Sequence, residues 1–224
     1  MENLPVYIPI VFALATFLAV YFFYKAAHHS KTGLIILLVW MALQACISLT
    51  GFYTHTKTNP PRFILLAGPA VLFIIFLFAT KTGRIFIDSL SLQFLTLLHV
   101  VRIPVELVLF ALYLHNAVPR LMTFEGRNFD MLSGISALFI YYFGFVKKQA
   151  GRNVLLVWNI ICLGLLLNVV INAVLSVPTS FQQFAFDQPN IAVLYFPFTW
   201  LPAVVVPLVL FSHLAAIRKL VKRT

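Results

Sequence analysis

The sequence predicts an all-α integral membrane protein, and two observations carry the prediction. Of the 224 residues, 62% are hydrophobic and only 10% are charged, whereas about a quarter of the residues of a soluble domain are charged. The apolar residues also form runs near the length of about 20 residues with which a helix crosses a bilayer. Because helices satisfy the backbone of such runs internally, we expect a single transmembrane domain over residues 1–224, with the lipid bilayer as its surroundings.

Seven apolar runs predict seven transmembrane helices. They cover residues 5–25, 33–53, 63–80, 88–117, 131–147, 153–177 and 193–216. The third and fifth runs are short, but basic residues close each of them. The first run is expected to remain as a helix, because the chain starts without the basic segment and cleavage site of a signal peptide.

The basic residues predict the orientation. Most lysines and arginines flank the connections after the odd-numbered spans and the C-terminal tail. The positive-inside rule therefore places the N-terminus outside and the C-terminus in the cytoplasm, as in a multi-pass protein of the plasma membrane. The net charge of +10 is explained by the membrane surface, so nucleic acid is not expected as a partner.

An internal repeat is a further hypothesis. The segments "GLIILLVW" (33–40) and "GRNVLLVW" (151–158) share Gly, Leu, Leu, Val and Trp at one constant offset. This pattern agrees with a 3+1+3 arrangement of parallel repeats, with halves 1–80 and 131–216 joined by a linker helix, 88–117. Leu-Leu-Val runs also recur by chance in apolar sequence, so an unduplicated bundle stays open.

The fourth span carries a stripe of polar residues. On one continuous helix, these residues would fall within an arc of about 80°. The stripe faces the bundle interior and is the predicted ligand or proton pathway. Its members are Asp88, Ser91, His99, Arg102, Glu106 and Tyr113.

Arg102 and Glu106 are expected to pair with each other. Each charge at mid-bilayer costs roughly 2.5–3.5 kcal/mol on insertion scales, and a spacing of four residues lets the two side chains meet on one helix face. Pro104 lies between them and removes a backbone hydrogen bond. The pair is either an architectural ion pair or part of a polar cavity, and both alternatives remain open here.

The chemistry of the stripe favours an anion or a proton over a metal. Arg102 offers a forked donor to a carboxylate or phosphate, His99 adds a second donor, and Glu106 is a candidate proton carrier. A haem or metal site would need several histidines at one depth, but His99 is expected to lie deep and His213 at the inner edge. No cofactor and no metal are therefore expected.

Two further groups of polar residues accompany the stripe. Asn168, Asn172, Gln44 and Ser48 are expected to hydrogen-bond neighbouring helices or to line a shared cavity. The outer connection 119–131 is expected to form a solvated loop, an interfacial segment or a lid over the bundle. Its charged residues are Arg120, Glu125, Arg127 and Asp130.

Three functions are compatible with these patterns. The first is the binding or transport of a small molecule, anionic or proton-coupled, at the fourth span. The second is a non-catalytic subunit of a membrane complex, in which the charge pair is architectural. The third, a membrane-embedded lipid-modifying enzyme, is favoured least because no nucleophile–base pair is present. The identity of the ligand and the oligomeric state are left open.

Overall fold

The computed structural model describes residues 4–222, and within these residues the backbone is helical with no strand. The all-α prediction is confirmed. The nine α-helices are α1 Tyr7–Ala26, α2 Lys31–Leu49, α3 Ile64–Ala79, α4 Lys81–Ser89, α5 Leu92–Leu98, α6 Arg102–Leu114, α7 Asp130–Tyr141, α8 Arg152–Leu175 and α9 Val206–Val221. Turns of 3-10 helix occur at Phe52–Thr54, His99–Val101, Arg120–Met122 and Ala192–Leu194, and π-helical turns at Tyr142–Val146 and Leu201–Val205.

Five helical segments are long and apolar enough to cross a membrane. They are Tyr7–Ala26, Lys31–Leu49, Leu92–Leu114, Arg152–Leu175 and Leu201–Val221. Helices α3 and α4 form a sixth if they count as one broken span, and they are bent by 94°. The apolar helix 130–146 is shorter. The architecture is thus compatible with a helical membrane protein.

Helix α1 packs against α5 and α6 with one face and exposes apolar side chains on the other. Its buried face includes Ala15, Ala19 and Ala26, whose small side chains let neighbouring backbones approach closely. The backbone N–H of Ser91 donates to the Ala26 carbonyl at 2.8 Å. The first helix is therefore part of the core that supports the fourth span.

Helix α2 lies at the periphery and exposes most of its apolar side chains. It buries only Met41, Gln44 and Ser48, as expected of a helix that faces lipid on most sides. Two tryptophan side chains attach it to the π-helical turn 201–205. Trp40 donates to the Ala203 carbonyl at 2.9 Å, and Trp200 donates to the Met41 carbonyl at 3.0 Å.

A glycine allows the sharp bend between α3 and α4. The side chain of Thr80 accepts from the Gly83 N–H at 3.1 Å and caps α4. A Cβ atom at position 83 would lie 2.2 Å from the backbone oxygen of Leu77, far inside van der Waals contact. The two helices can approach this closely only because residue 83 has no side chain.

The predicted stripe on the fourth span is interrupted, and Asp88 does not belong to it. Helix α4 ends at Ser89, and α5 begins only at Leu92. Ser91 is extended because its N–H bonds to α1 instead of continuing the helix. Asp88 instead contacts the C-terminal helix, with Arg218 Nε at 3.0 Å and Lys222 Nζ at 2.7 Å.

Replacing Asp88 by asparagine should lower the free energy of unfolding at pH 7 by about 1 kcal/mol or less, since the cluster is partly exposed. Asp88 accepts hydrogen bonds from Arg218 and Lys222. These bonds stabilise the folded state only while the carboxylate is ionised, so their contribution is lost as acid protonates Asp88. Denaturation of variant and wild type should differ at pH 7 and converge in acid. An equal difference at every pH would contradict the assignment.

Candidate functional site

Arg102 pairs with Asp130, and among the described residues it forms no ion pair with Glu106. Arg102 Nε lies 3.1 Å from Asp130 Oδ2, and the side chain of Arg102 is 3% exposed. Close packing of α7 against the start of α6 brings the two together, since a Cβ at Gly134 would lie 3.3 Å from that of Arg102. Asp130, expected in the outer lid, is therefore a buried residue of the helix interface.

The guanidinium group of Arg102 is only partly used by this contact. The Nε–Oδ2 approach has the distance of an ion pair without the angle of a hydrogen bond. Within residues 4–222, the buried atoms Nη1 and Nη2 have no hydrogen-bond partner, and neither has Asp130 Oδ1. Buried polar atoms are usually satisfied in native structures, so these atoms make the contact between α6 and α7 the candidate site.

Asn128 holds Glu106 and was not predicted. Its Nδ2 donates to Glu106 Oε2 and to the Met122 carbonyl, the latter at 2.9 Å. Its Oδ1 accepts from the backbone N–H of Asp130 at 3.0 Å. An asparagine two residues before a helix is a common turn signal, and this signal was available in the sequence. Glu106 Oε1 has no partner within the described residues.

These side chains line a cavity of about 90 Å³. A buried water needs about 10–15 Å³ by this measure, so the space admits several waters or a small molecule. Its polar lining consists of Arg102, Glu106, Asn128, Asp130 and Asn190. The remaining wall is apolar and is formed by Phe63, Ala67, Val105, Leu109, Met122, Leu166, Val169, Val170, Ala173, Val174, Val193, Leu201, Pro202, Val205, Val206 and Val209.

His99 stacks on His213, which corrects the expected depth of the second histidine. Their ring centroids are 3.9 Å apart with planes inclined by 17°, and both residues are fully buried. Trp158 approaches His99 edge-on at 5.5 Å. His213 was expected at the inner edge of a span over 193–216, but the helical segment runs from Leu201 to Val221. The residue therefore lies farther from the inner end.

Hydrogen bonding assigns the tautomer of His213. Asn159 Nδ2 donates to the Leu155 carbonyl at 2.9 Å, which leaves Asn159 Oδ1 as an acceptor. His213 Nδ1 lies 2.9 Å from this oxygen and must carry the proton, so its Nε2 bears a lone pair. Among the described residues, His213 Nε2 and both nitrogens of His99 have no partner.

Replacing Asn159 by leucine should lower the free energy of unfolding by about 1–3 kcal/mol, because the buried Nδ1–H of His213 would lose its acceptor. Asn168→Leu is the matched control, since Asn168 is exposed. We expect a smaller loss for the control in thermal unfolding of the solubilised protein. Equal losses for both variants would contradict the role of Asn159.

The other predicted residues do not converge on this cavity. The carbonyl of Tyr113 accepts from Gln188 at 3.0 Å. Gln44 accepts from the Tyr53 hydroxyl at 2.6 Å, and Ser48 is buried nearby on α2. The cavity lining includes none of Tyr113, Gln44, Ser48 or His99 within the described residues.

The outer connection folds against the bundle. Met122 and Thr123 are buried in it, whereas Arg120 and Glu125 form an exposed pair at 3.9 Å. The carbonyl of Arg127 accepts from Asn168 at 2.8 Å. Asn172 contacts Asn168 at 3.4 Å, so the two asparagines of α8 tie that helix to the connection.

No group of three or more His, Cys, Asp or Glu in residues 4–222 is arranged to hold a metal ion. The two stacked imidazole rings lie nearly parallel, so their ring nitrogens do not converge on one point between them. The side chains at the site can form hydrogen bonds, compensate charge and bind protons.

Comparison with known proteins yields one match. The family model described as "Domain of unknown function (DUF8737)" matches residues 61–221. No curated protein and no solved structure matches the chain. The matched segment contains every residue that lines the cavity.

Proposed function

Because the chain belongs to the DUF8737 family, whose segment 61–221 contains the whole cavity, we propose a function from the chemistry of that cavity. The protein binds a small polar ligand inside the membrane and carries it across. In this proposal seven spans cross the plasma membrane with the N-terminus outside. The bent pair α3–α4 and the short helix 130–146 supply the two spans beyond the five long ones.

One observation carries the proposal: three buried charged residues with unpartnered polar atoms line a single cavity. Intramembrane ionisable residues are costly and commonly mark ligand or proton pathways. A purely architectural pair would be expected to use its hydrogen-bonding atoms within the protein. Arg102 Nη1 and Nη2, Asp130 Oδ1 and Glu106 Oε1 have no such partner in the described chain.

Glu106 is the proposed proton carrier of the site. Arg102 already has a carboxylate neighbour in Asp130, and within residues 4–222 Glu106 is contacted by the neutral amide of Asn128 and forms no ion pair. A proton on Glu106 would neutralise the cavity in the absence of a ligand. If a charged ligand replaced that proton, ligand binding would be coupled to proton release.

A structural role is the second candidate, and one observation favours it. The Arg102–Asp130 pair lies where α6 and α7 are closest, since a Cβ at Gly134 would come within 2.8 Å of Ile103 Cγ1. A charge pair at such a contact can fix the register of two helices without binding a ligand. In that role the protein would be an accessory subunit of a membrane complex.

Native mass spectrometry of the gently solubilised protein distinguishes the two candidates. The test variant is Arg102→Gln/Asp130→Asn, which removes both charges but keeps the shapes and some hydrogen bonds. Arg127→Gln is the control, because Arg127 is exposed. A discrete non-lipid adduct should be present on wild type and control and absent from the double variant. Bare protein or identical lipids on all three would favour the structural role.

A further inference from the structure

The charged residues of the cavity do not balance one another. Arg102 of α6 pairs with Asp130 of α7, and Glu106 lines the same cavity without an ion-pair partner among residues 4–222. The other lining residues carry no charge. When both carboxylates are ionised, the cavity has one negative charge in a low-dielectric environment, where an uncompensated charge is strongly disfavoured. One positive charge, supplied by a proton on Glu106 or by a ligand that replaces this proton, makes the cavity neutral.

The unpartnered acceptor atoms agree with this count. Glu106 Oε1, Asp130 Oδ1 and Asn190 Oδ1 are buried oxygens without a donor in the described chain. All three belong to residues that line the cavity, and because the oxygens themselves are covered, a ligand would reach them by rotation of these side chains. An ammonium group has several N–H donors and brings the charge that the site lacks.

An anion satisfies fewer of these requirements. It would accept from Arg102 Nη1 and Nη2, which are free, but it would add a second negative charge beside Asp130. Glu106 would then have to be protonated, and one excess charge would still remain. The pairing of Arg102 with Asp130 therefore reverses the preference for an anion that the sequence suggested.

The rest of the cavity wall indicates the chemical nature of the uncharged part of the ligand. Five side chains of α8 and five of the segment 201–221 supply ten of the sixteen apolar residues of the lining. An apolar wall favours hydrocarbon over further polar groups. The space of about 90 Å³ suits a short chain or small ring rather than a lipid.

We propose that the ligand of this site is a small organic monocation, a protonated amine with a short hydrocarbon body, which replaces a proton on Glu106. The ammonium group donates to Glu106 Oε1 and Asp130 Oδ1, and the hydrocarbon lies along the apolar wall. This inference rests on the proposed binding function and adds the sign of the ligand's charge.

Three probes of one length test the sign of the charge: n-butylammonium, n-butanol and butyrate. Calorimetric titration of the protein in nanodiscs should give a dissociation constant for n-butylammonium at least tenfold lower than for the other two. Glu106→Gln should weaken binding of n-butylammonium at least tenfold. Glu125→Gln, which neutralises an exposed carboxylate, is the matched control and should bind as wild type does.

The comparison of probes on the wild type needs no variant, so it remains decisive if Glu106→Gln fails to fold. Lowering the pH should also weaken binding of n-butylammonium to the wild type, because protons compete for the same carboxylate. Tighter binding of butyrate, or equal binding of all three probes, would overturn the monocation. An Arg102-dependent adduct in native mass spectra would then still support the binding function. No probe bound and no such adduct would overturn both.

Discussion

Replacing Arg102 by leucine should lower the free energy of unfolding by about 3–5 kcal/mol, the usual effect of removing one partner of a buried ion pair. Asp130 would stay in the interface between α6 and α7 with its negative charge uncompensated. Protonation of a carboxyl or local opening of the helices are the only ways to relieve this. We expect poor recovery of the variant after detergent extraction.

Denaturation by SDS in mixed micelles measures this loss, with Arg127→Leu as the control. Arg127 is exposed, so its replacement should change stability by about 0.5 kcal/mol or less. The double variant Arg102→Leu/Asp130→Leu removes both charges and should regain most of the lost stability, because apolar replacements of buried pairs are often tolerated. A double variant as unstable as Arg102→Leu would contradict the pairing of Arg102 with Asp130.

Replacing Gly83 by alanine should also destabilise the protein strongly and lower the free energy of unfolding by about 3 kcal/mol. The new Cβ would lie 2.2–2.7 Å from the backbone atoms of Leu77, and backbone atoms cannot rotate away as a side chain can. Relief requires the bend of 94° between α3 and α4 to open. The contact of Asp88 with the C-terminal helix would be displaced with it.

Gly164→Ala is the matched control for this bend. Gly164 lies within α8, and a Cβ there would have nothing within 4 Å, so the substitution should be neutral or stabilise the helix by up to about 1 kcal/mol. The same SDS titration compares the two variants. If Gly83→Ala and Gly164→Ala unfold at the same SDS concentration, the close approach of α3 and α4 is not required for stability.

The sequence predicts helix content well because long apolar runs have few alternatives in lipid. It predicts the ends of the helices less well. The run 88–117 reads as one helix, yet the N–H of Ser91 bonds to α1 and separates α4 from α5. The run 193–216 reads as a helix from its start, whereas the π-helical turn begins only at Leu201. In both cases tertiary contacts decide the boundary.

The candidate site was predicted only in part, because its contacts join residues that lie far apart in the sequence. Arg102 and Glu106 were identified because a charge within an apolar run is visible locally. Their partners Asp130 and Asn128 lie in a connection that reads as a surface loop, and no local rule places it against α6. The expected pairing at four residues follows from helix geometry alone. Helix geometry does not predict that the carboxylate of Asp130 on α7 lies next to Arg102 and competes with Glu106 for it.

The π-helical turn Leu201–Val205 has a consequence for mechanics. A π turn contains one residue more than an α turn, so it stores a short length of surplus backbone. Moving that surplus along the helix would rotate the residues it passes by about 100°. Pro202 and Val205 line the cavity from this turn, while α9 continues beyond it to Val221. Such a shift of the turn would reshape the wall of the cavity, while the rest of α9 could keep its place.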